Sequence, residues 1–326
     1  RSPSPRSRRK SRSPPADPPA MAHAHHHHHV HTSAISRKLT IATIANVIIV
    51  VAELTVGFGA GSLALIGDAL HNLTDVAALV LALIAVRLER RPATTAKTYG
   101  YQRAGILAAF VNSGLLLVLT GIVVKEAIER LRAPHAVGSG AMLVTATLAL
   151  LVNAATAMSL RSEGKHDVNI RSAVIHMIGD AVSSAGIIAG AILIRMTGAM
   201  EWDAIVSLFI GVLILWSSWG VLKESVNLLL EGTPRGIDAE EVSRAIGAID
   251  GVLGIHHLHI WAIGAANASL SCHLMVGDVP VRNTGKLLDD VNAMLARDFH
   301  IAHTTVQFEF ANCAEDDPFC VPYTVR

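Results

Sequence analysis

Six long apolar stretches dominate the chain, over residues 38–60, 63–88, 102–126, 138–160, 169–196 and 203–222. A helix needs about 20 predominantly apolar residues to cross the hydrocarbon of a bilayer, so each stretch predicts a transmembrane helix. The connections are short, the longest being ERRPATTAKTYGYQR between the second and third stretches. From Thr233 the pattern changes. GTPRGIDAEEVSRAIGAIDG opens with a Pro-Gly break and continues as an amphipathic helix with Asp238 near its start. VLGIHHLHIWAI and ASLSCHLMV read as strands, and NTGKLLDDVNAMLARDF as a helix with Leu287, Leu288, Val291, Met294 and Leu295 at helical spacing. HTTVQFEF alternates apolar Val306, Phe308 and Phe310 with polar Thr305, Gln307 and Glu309, as a half-buried strand does. The order α-β-β-α-β predicts a small α+β domain with its helices on one face of a sheet. The fold class is an α-helical membrane protein: a six-transmembrane-helix bundle followed by that small α+β domain.

Composition agrees with the pattern. Charged residues make up 16% of the 326 positions and hydrophobic ones 51%, against about 25% charged in soluble domains. Positive charge gathers ahead of the first stretch (Arg37, Lys38), between the second and third (Arg87, Arg90, Arg91, Lys97, Arg103) and between the fourth and fifth (Arg161, Lys165, Arg171). The positive-inside rule then puts both termini in the cytosol, although Lys125, Arg130 and Arg132, read as the third connection, point the other way. Residues 1–20 carry six Lys/Arg against one Asp and are rich in Pro and Ser. Such a segment buries no core and is expected to be disordered; its Arg-Ser dipeptides are too few to suggest a nucleic-acid partner. Met21 is expected to mark the natural start. The tract His23, His25 to His29 and His31 reads as a metal-collecting tail, a purification tag being the alternative. No cleavable signal peptide is expected. Three cysteines, Cys272, Cys313 and Cys320, lie loosely spaced near the end, which suits a reducing cytosol better than a disulfide framework. The expected organisation is a basic, His-rich tail (1–36), a membrane domain (37–231), a cytosolic domain (232–312) and a short acidic tail (313–326).

Two five-residue segments break the apolar pattern. HNLTD (His71 to Asp75) lies in the second stretch and HMIGD (His176 to Asp180) in the fifth. An ionised carboxylate near the centre of a membrane helix costs about 2.5–3.5 kcal/mol on insertion scales. Positions i and i+4 share a helix face, so each pair presents one imidazole and one carboxylate together. A single pair is most simply a packing hydrogen bond; two matched pairs in one bundle call for a shared role. Where the faces meet, His71, Asp75, His176 and Asp180 form an N₂O₂ cage. Zn²⁺ favours such a mixed tetrahedral set, while Mg²⁺ and Ca²⁺ favour all-oxygen shells; Co²⁺ and Cd²⁺ are further candidates. A proton relay without metal is the rival reading of the same residues. Asp68, three residues before His71, extends the face and is a candidate to orient a ligating histidine. Glu53, Asn46 and Asn153 are explained by hydrogen bonds between packed helices.

SLALIGDALHNLTD with HMIGDAVSSAGIIAGAI resembles the cation diffusion facilitator family, and HHLHIWAI, ASLSCHLMV and HTTVQFE resemble its cytosolic domain. The likeness covers residues 37–313 and is strongest to the bacterial cobalt–zinc–cadmium resistance branch. It implies a homodimeric metal/proton antiporter in the bacterial inner membrane, with a ferredoxin-like cytosolic domain and a transport site of His71, Asp75, His176 and Asp180. Some members carry an extra zinc site in the second-to-third loop; RLERRPATTAKTYGYQR has neither His nor Asp, so none is expected here. In the cytosolic domain His256 and His273 match family metal ligands, but Gly285 and Gln307 stand at two further ligand positions. The expectation is a reduced zinc site of His256 and His273 with Glu309 or a cysteine. His257, His259 and His303 are assigned to strand packing or surface.

The resulting functional expectation is export of Zn²⁺ from the cytosol in exchange for protons. Residues 233–326 carry twelve Asp/Glu against six Lys/Arg, so zinc at a dimer interface would offset repulsion between two such domains. A membrane zinc receptor that binds without transporting is the alternative. A membrane metalloenzyme fits less well, because hydrolysis needs an open coordination position and a general base.

Overall fold

A computed structural model describes residues 29–161, 168–264 and 267–310. The basic segment 1–20, the imidazoles of the His tract, Lys165, Cys313 and Cys320 lie outside the described residues. The membrane part consists of α1 (His29–Ala60), α2 (Leu63–Glu89), α3 (Ala104–Arg132), α4 (Ser139–Leu160), α5 (Val168–Thr197) and α6 (Glu201–Leu229). Each contains a window apolar enough to cross a membrane, with mean hydropathy between 1.8 and 2.3. Large apolar side chains such as Phe58, Met158 and Trp216 point outward and are more than two-thirds exposed, as lipid-facing positions are. The buried side is built of smaller or branched residues, among them Ala64, Leu65, Ala146, Ile187, Ala191 and Ile210.

One span departs from the sequence reading. Lys125, Arg130 and Arg132 do not lie in a connection; α3 continues through them to Arg132. Charge pairs one turn apart keep the extension helical, with Lys125 Nζ 2.6 Å from Glu129 Oε1 and Arg130 Nε 3.0 Å from Glu126 Oε1. The connection to α4 is correspondingly shorter.

The start of α2 is held by an unusual set of partners. Gly61, at φ 68°, makes the tight turn from α1, and a Cβ there would meet the Ala136 carbonyl oxygen at 2.8 Å. Ser62 caps α2 by accepting from the Leu65 N–H. Asp203, from the first turn of α6, accepts from the Ser62 hydroxyl (2.6 Å) and the Leu63 N–H (2.7 Å). Arg130 of α3 donates to the Gly61 carbonyl at 2.6 Å and lies 4.0 Å from Asp203. Asp203 and Ser62 are buried, so Asp203→Ala leaves buried donors unpaired. The expected loss is about 1–3 kcal/mol for each donor stranded, read as a lower melting temperature of the protein in detergent; Asp203→Asn, which still offers one acceptor, is expected to recover part of it.

The C-terminal domain follows the predicted order. α7 (Ala239–Gly247) is capped by Asp238, which accepts from the Glu240 and Glu241 N–H groups. Then come β1 (Gly254–Ala262), β2 (Ala268–Met275), α8 (Gly285–Asp298) and β3 (Ile301–Glu309). The sheet order is β1-β2-β3, with β1 antiparallel to β2 and β2 parallel to β3. Val242 and Ile246 of α7 and Val291 and Leu295 of α8 pack on Leu258, Ile260, Leu270 and Leu274 of the sheet. At the junction with the bundle, Arg103 donates to the Ala262 carbonyl and lies 3.3 Å from Glu231.

Candidate functional site

α2 and α5 are 27 and 30 residues long, about 40–45 Å at the usual helical rise. His71 and His176 each lie eight residues past the start of their helix, and Asp75 and Asp180 twelve. Each set is thus about 12–18 Å along its helix, roughly a third of the way in. α2 packs against α5, and the two His/Asp faces meet. Asp75 Oδ2 lies 3.6 Å from His71 Nε2 and 3.3 Å from His176 Nε2, and Asp180 Oδ2 lies 3.6 Å from His176 Nε2. The two rings are 6.2 Å apart and nearly edge-on.

These separations are informative. Direct N–H···O hydrogen bonds fall at about 2.7–3.2 Å. Ligands about 2.0–2.1 Å from a tetrahedral zinc are separated from one another by about 3.3 Å. Three of the six separations among the four ligand atoms lie near that edge length, and Asp75 Oδ2 and Asp180 Oδ2 are buried atoms with no hydrogen-bond partner among the described residues. Asp180 closes one side of the cage, with its side chain 3% exposed, while His176, at 38%, leaves the other open.

Asp68 sits differently from the sequence expectation. It accepts from the Ser183 hydroxyl of α5 and faces Glu53 of α1, whereas His71 Nδ1 has no hydrogen-bond partner among the described residues. Glu53 of α1 is fully buried against α2.

The C-terminal domain holds a second cluster. His256 on β1 pairs in register with His273 on β2. Glu309 on β3 reaches both, with Oε2 3.0 Å from His256 Nε2 and Oε1 3.0 Å from His273 Nδ1. Gln307 donates to Glu309 at 2.7 Å. His257 joins them, correcting its assignment to strand packing. The register shifts between His256 and His259, and His257 takes φ 50°. This bulge turns the ring back, so the centroids of His257 and His273 are 4.8 Å apart and those of His257 and His256 5.4 Å. One ligand atom from each of the three histidines falls within 4.8 Å of the others, a donor set that suits zinc. Cys272 faces the apolar core instead, where burial pushes its thiol up to about 12. Gly285 opens α8 with no side chain to offer. His303 stacks edge-on against Tyr99, with centroids 5.8 Å apart.

Burial and the neighbouring histidines hold His273 below the ordinary histidine value of 6.5, against the pull of Glu309. Glu309 stays below its ordinary 4.5: burial works against this, but the Gln307 hydrogen bond and the histidine charges outweigh it. Both groups bind protons more weakly in the fold than in the unfolded chain, so stability rises with pH. Glu309's contribution is present above pH 4.5 and is lost as pH falls through its folded value; for His273 the loss begins below pH 6.5. The melting temperature of the metal-free full-length protein is therefore expected to fall as pH drops from 7 to 4, with Glu309→Gln flattening the more acidic part.

Comparison with known proteins adds the following. Residues 39–230 match the cation efflux transmembrane domain, and residues 234–311 match the cytoplasmic domain of cation efflux proteins. The metal cation efflux system protein CzcD of Cupriavidus metallidurans is 40% identical over 281 residues, covering 86% of this chain and 89% of that one. The zinc transporter ZitB of Escherichia coli is 41% identical over 268 residues, 81% of this chain and 84% of that one. The cadmium, cobalt and zinc/H(+)-K(+) antiporter of Bacillus subtilis is 38% identical over 256 residues, 78% of this chain and 82% of that one.

Proposed function

Because this chain belongs to the cation diffusion facilitator family, on its zinc/cobalt/cadmium branch, we propose that it exports Zn²⁺ from the cytosol in exchange for protons. Divalent-cation efflux by a multi-pass membrane protein follows from the family itself. The choice of zinc is supported by one observation above all: His71, Asp75, His176 and Asp180 bring two nitrogens and two oxygens together, with Asp75 3.6 Å from His71 and 3.3 Å from His176, and Asp180 3.6 Å from His176, a mixed donor set that zinc favours. Metal binding requires neutral imidazole and ionised carboxylate, so it competes with protons at the same atoms. A site that alternates between the two membrane faces then carries zinc one way and protons the other. The Bacillus subtilis relative, named as an antiporter with H(+), supports this coupling.

We further assign the cluster of His256, His257, His273 and Glu309 as a regulatory zinc site in a cytosolic domain, in a homodimer with both termini in the cytosol of a bacterial inner membrane. Zinc there reduces the excess of acidic charge that two such domains bring together. The transport reading is tested by loading proteoliposomes with protein and measuring ⁶⁵Zn²⁺ uptake under an imposed pH gradient. Uptake that tracks the gradient is expected. Uptake indifferent to it would remove proton exchange, and binding without any flux would favour a zinc receptor.

A further inference from the structure

Where the membrane bundle meets the C-terminal domain, a cavity of about 1030 Å³ lies between them. That is the upper end of the usual range for ligand pockets, about 300–1,000 Å³. The end of α2, the start of α3 and the end of α6 line it through Leu88, Leu107 and Leu229. Tyr99 and Tyr101, from the connection between α2 and α3, and Trp261 of β1 add three aromatic rings. Lys97 and Arg103 add two cations, and Glu231 is the one acid among the described lining residues.

The charge of this lining is not balanced from within. Glu231 is matched by Arg103, 3.3 Å away. Lys97 has no carboxylate partner among the described residues; its Nζ lies 5.4 Å from the centre of the Tyr101 ring. From Arg87 to Arg103 the chain carries five Lys/Arg against one Glu, and that residue, Glu89, accepts from the Gly105 N–H. An anion is the missing partner. A small soluble anion would answer the cations but leave the three leucines bare. Those leucines belong to the ends of membrane-crossing helices, whereas the rings and cations lie in the connection and in β1 beyond them. A bilayer passes through the same chemistries, from hydrocarbon through an interface that favours Tyr and Trp to charged headgroups. Basic pockets between transmembrane helices take up the headgroups of anionic lipids.

We propose that this cavity binds one anionic phospholipid from the membrane face that bears the C-terminal domain. Lys97 and Arg103 meet its phosphate, and Leu88, Leu107 and Leu229 meet the glycerol and the first part of the acyl chains. The lipid touches the connection between α2 and α3 on one side and β1 on the other. It therefore adds to the direct contacts between those two parts, the Tyr99–His303 ring pair and the Asn267–Gln102 hydrogen bond of 3.4 Å. The site does not depend on which ion crosses the bundle or on what drives it.

Two measurements test it on the full-length protein in detergent. The first is native mass spectrometry during titration with dioleoylphosphatidylglycerol or dioleoylphosphatidylcholine, which counts the lipids retained. Preferential retention of phosphatidylglycerol is expected. Lys97→Gln removes one exposed cation and is expected to weaken that retention about fivefold, leaving phosphatidylcholine unchanged. Lys125→Gln, at the other end of α3, is the control and is expected to behave as wild type. Equal retention of the two lipids, or equal loss in both variants, overturns the site. Displacement of phosphatidylglycerol by comparable concentrations of inorganic phosphate or glycerol 3-phosphate, which have no acyl chains, overturns the lipid as its occupant. The second measurement places the lipid. Subtracting the fluorescence of Trp261→Phe from that of wild type isolates Trp261, whose emission is expected to shift with phosphatidylglycerol and not with phosphatidylcholine. An unmoved Trp261 signal while phosphatidylglycerol is retained puts the lipid elsewhere and overturns the assignment.

Discussion

Asp180→Ala is expected to lower zinc flux by more than about 100-fold. Changes to groups that merely support metal ligands already cost about 10–100-fold in affinity or activity, and Asp180 belongs to the cage itself. Its Oδ2 lies 3.6 Å from His176 Nε2, and its side chain is the most enclosed of the four. Alanine leaves three donors around the ion and lets water into the fourth position. It also removes a carboxylate charge that would offset that of the dication. The measurement is ⁶⁵Zn²⁺ uptake into proteoliposomes under a pH gradient, with the melting temperature of the variant as a check on folding. A folded variant that transports at the wild-type rate would mean that zinc passes elsewhere. Asp180→Asn separates charge from shape: the carboxamide oxygen still reaches the metal, so a residual flux above that of alanine is expected.

The second large effect is expected in the C-terminal domain. His257→Asn should weaken zinc binding there by at least about tenfold. Asparagine is the informative replacement. His257 sits at φ 50°, where alanine would add backbone strain and asparagine is tolerated. Loss of affinity with an unchanged melting temperature therefore reports the imidazole rather than the bulge. The titration is made on full-length protein carrying Asp180→Ala, so that the intramembrane cage contributes little. His259→Asn serves as the control, because His259 is exposed on the strand beyond the bulge. Unaltered affinity in His257→Asn would leave His256, His273 and Glu309 as the ligands, the reduced set expected from the sequence.

The sequence by itself determined the architecture. Each membrane helix contains a long apolar window, so its apolar composition is a local property, legible without knowing its neighbours. The pairs His71/Asp75 and His176/Asp180 are legible for the same reason: positions four apart share a face whatever surrounds them. The C-terminal elements follow from alternation and from helical spacing, as in Val306, Phe308 and Phe310 on β3.

Tertiary structure decided what those faces meet. Lys125 and Arg130 read as loop because charge interrupts an apolar run, yet their partners Glu129 and Glu126 one turn away keep α3 helical. Asp203 caps a helix 140 positions earlier in the chain, and no local pattern carries that information. His257 joins His256 and His273 only because a bulge breaks the two-residue period of β1. Glu53 looks like any polar residue until Gly57 brings α1 against α2 and its side chain is fully buried there. Composition and periodicity report how one segment meets solvent or lipid. Which side chains share a buried space depends on helix rotation, close approach and strand register, and those are set by all the packed elements together.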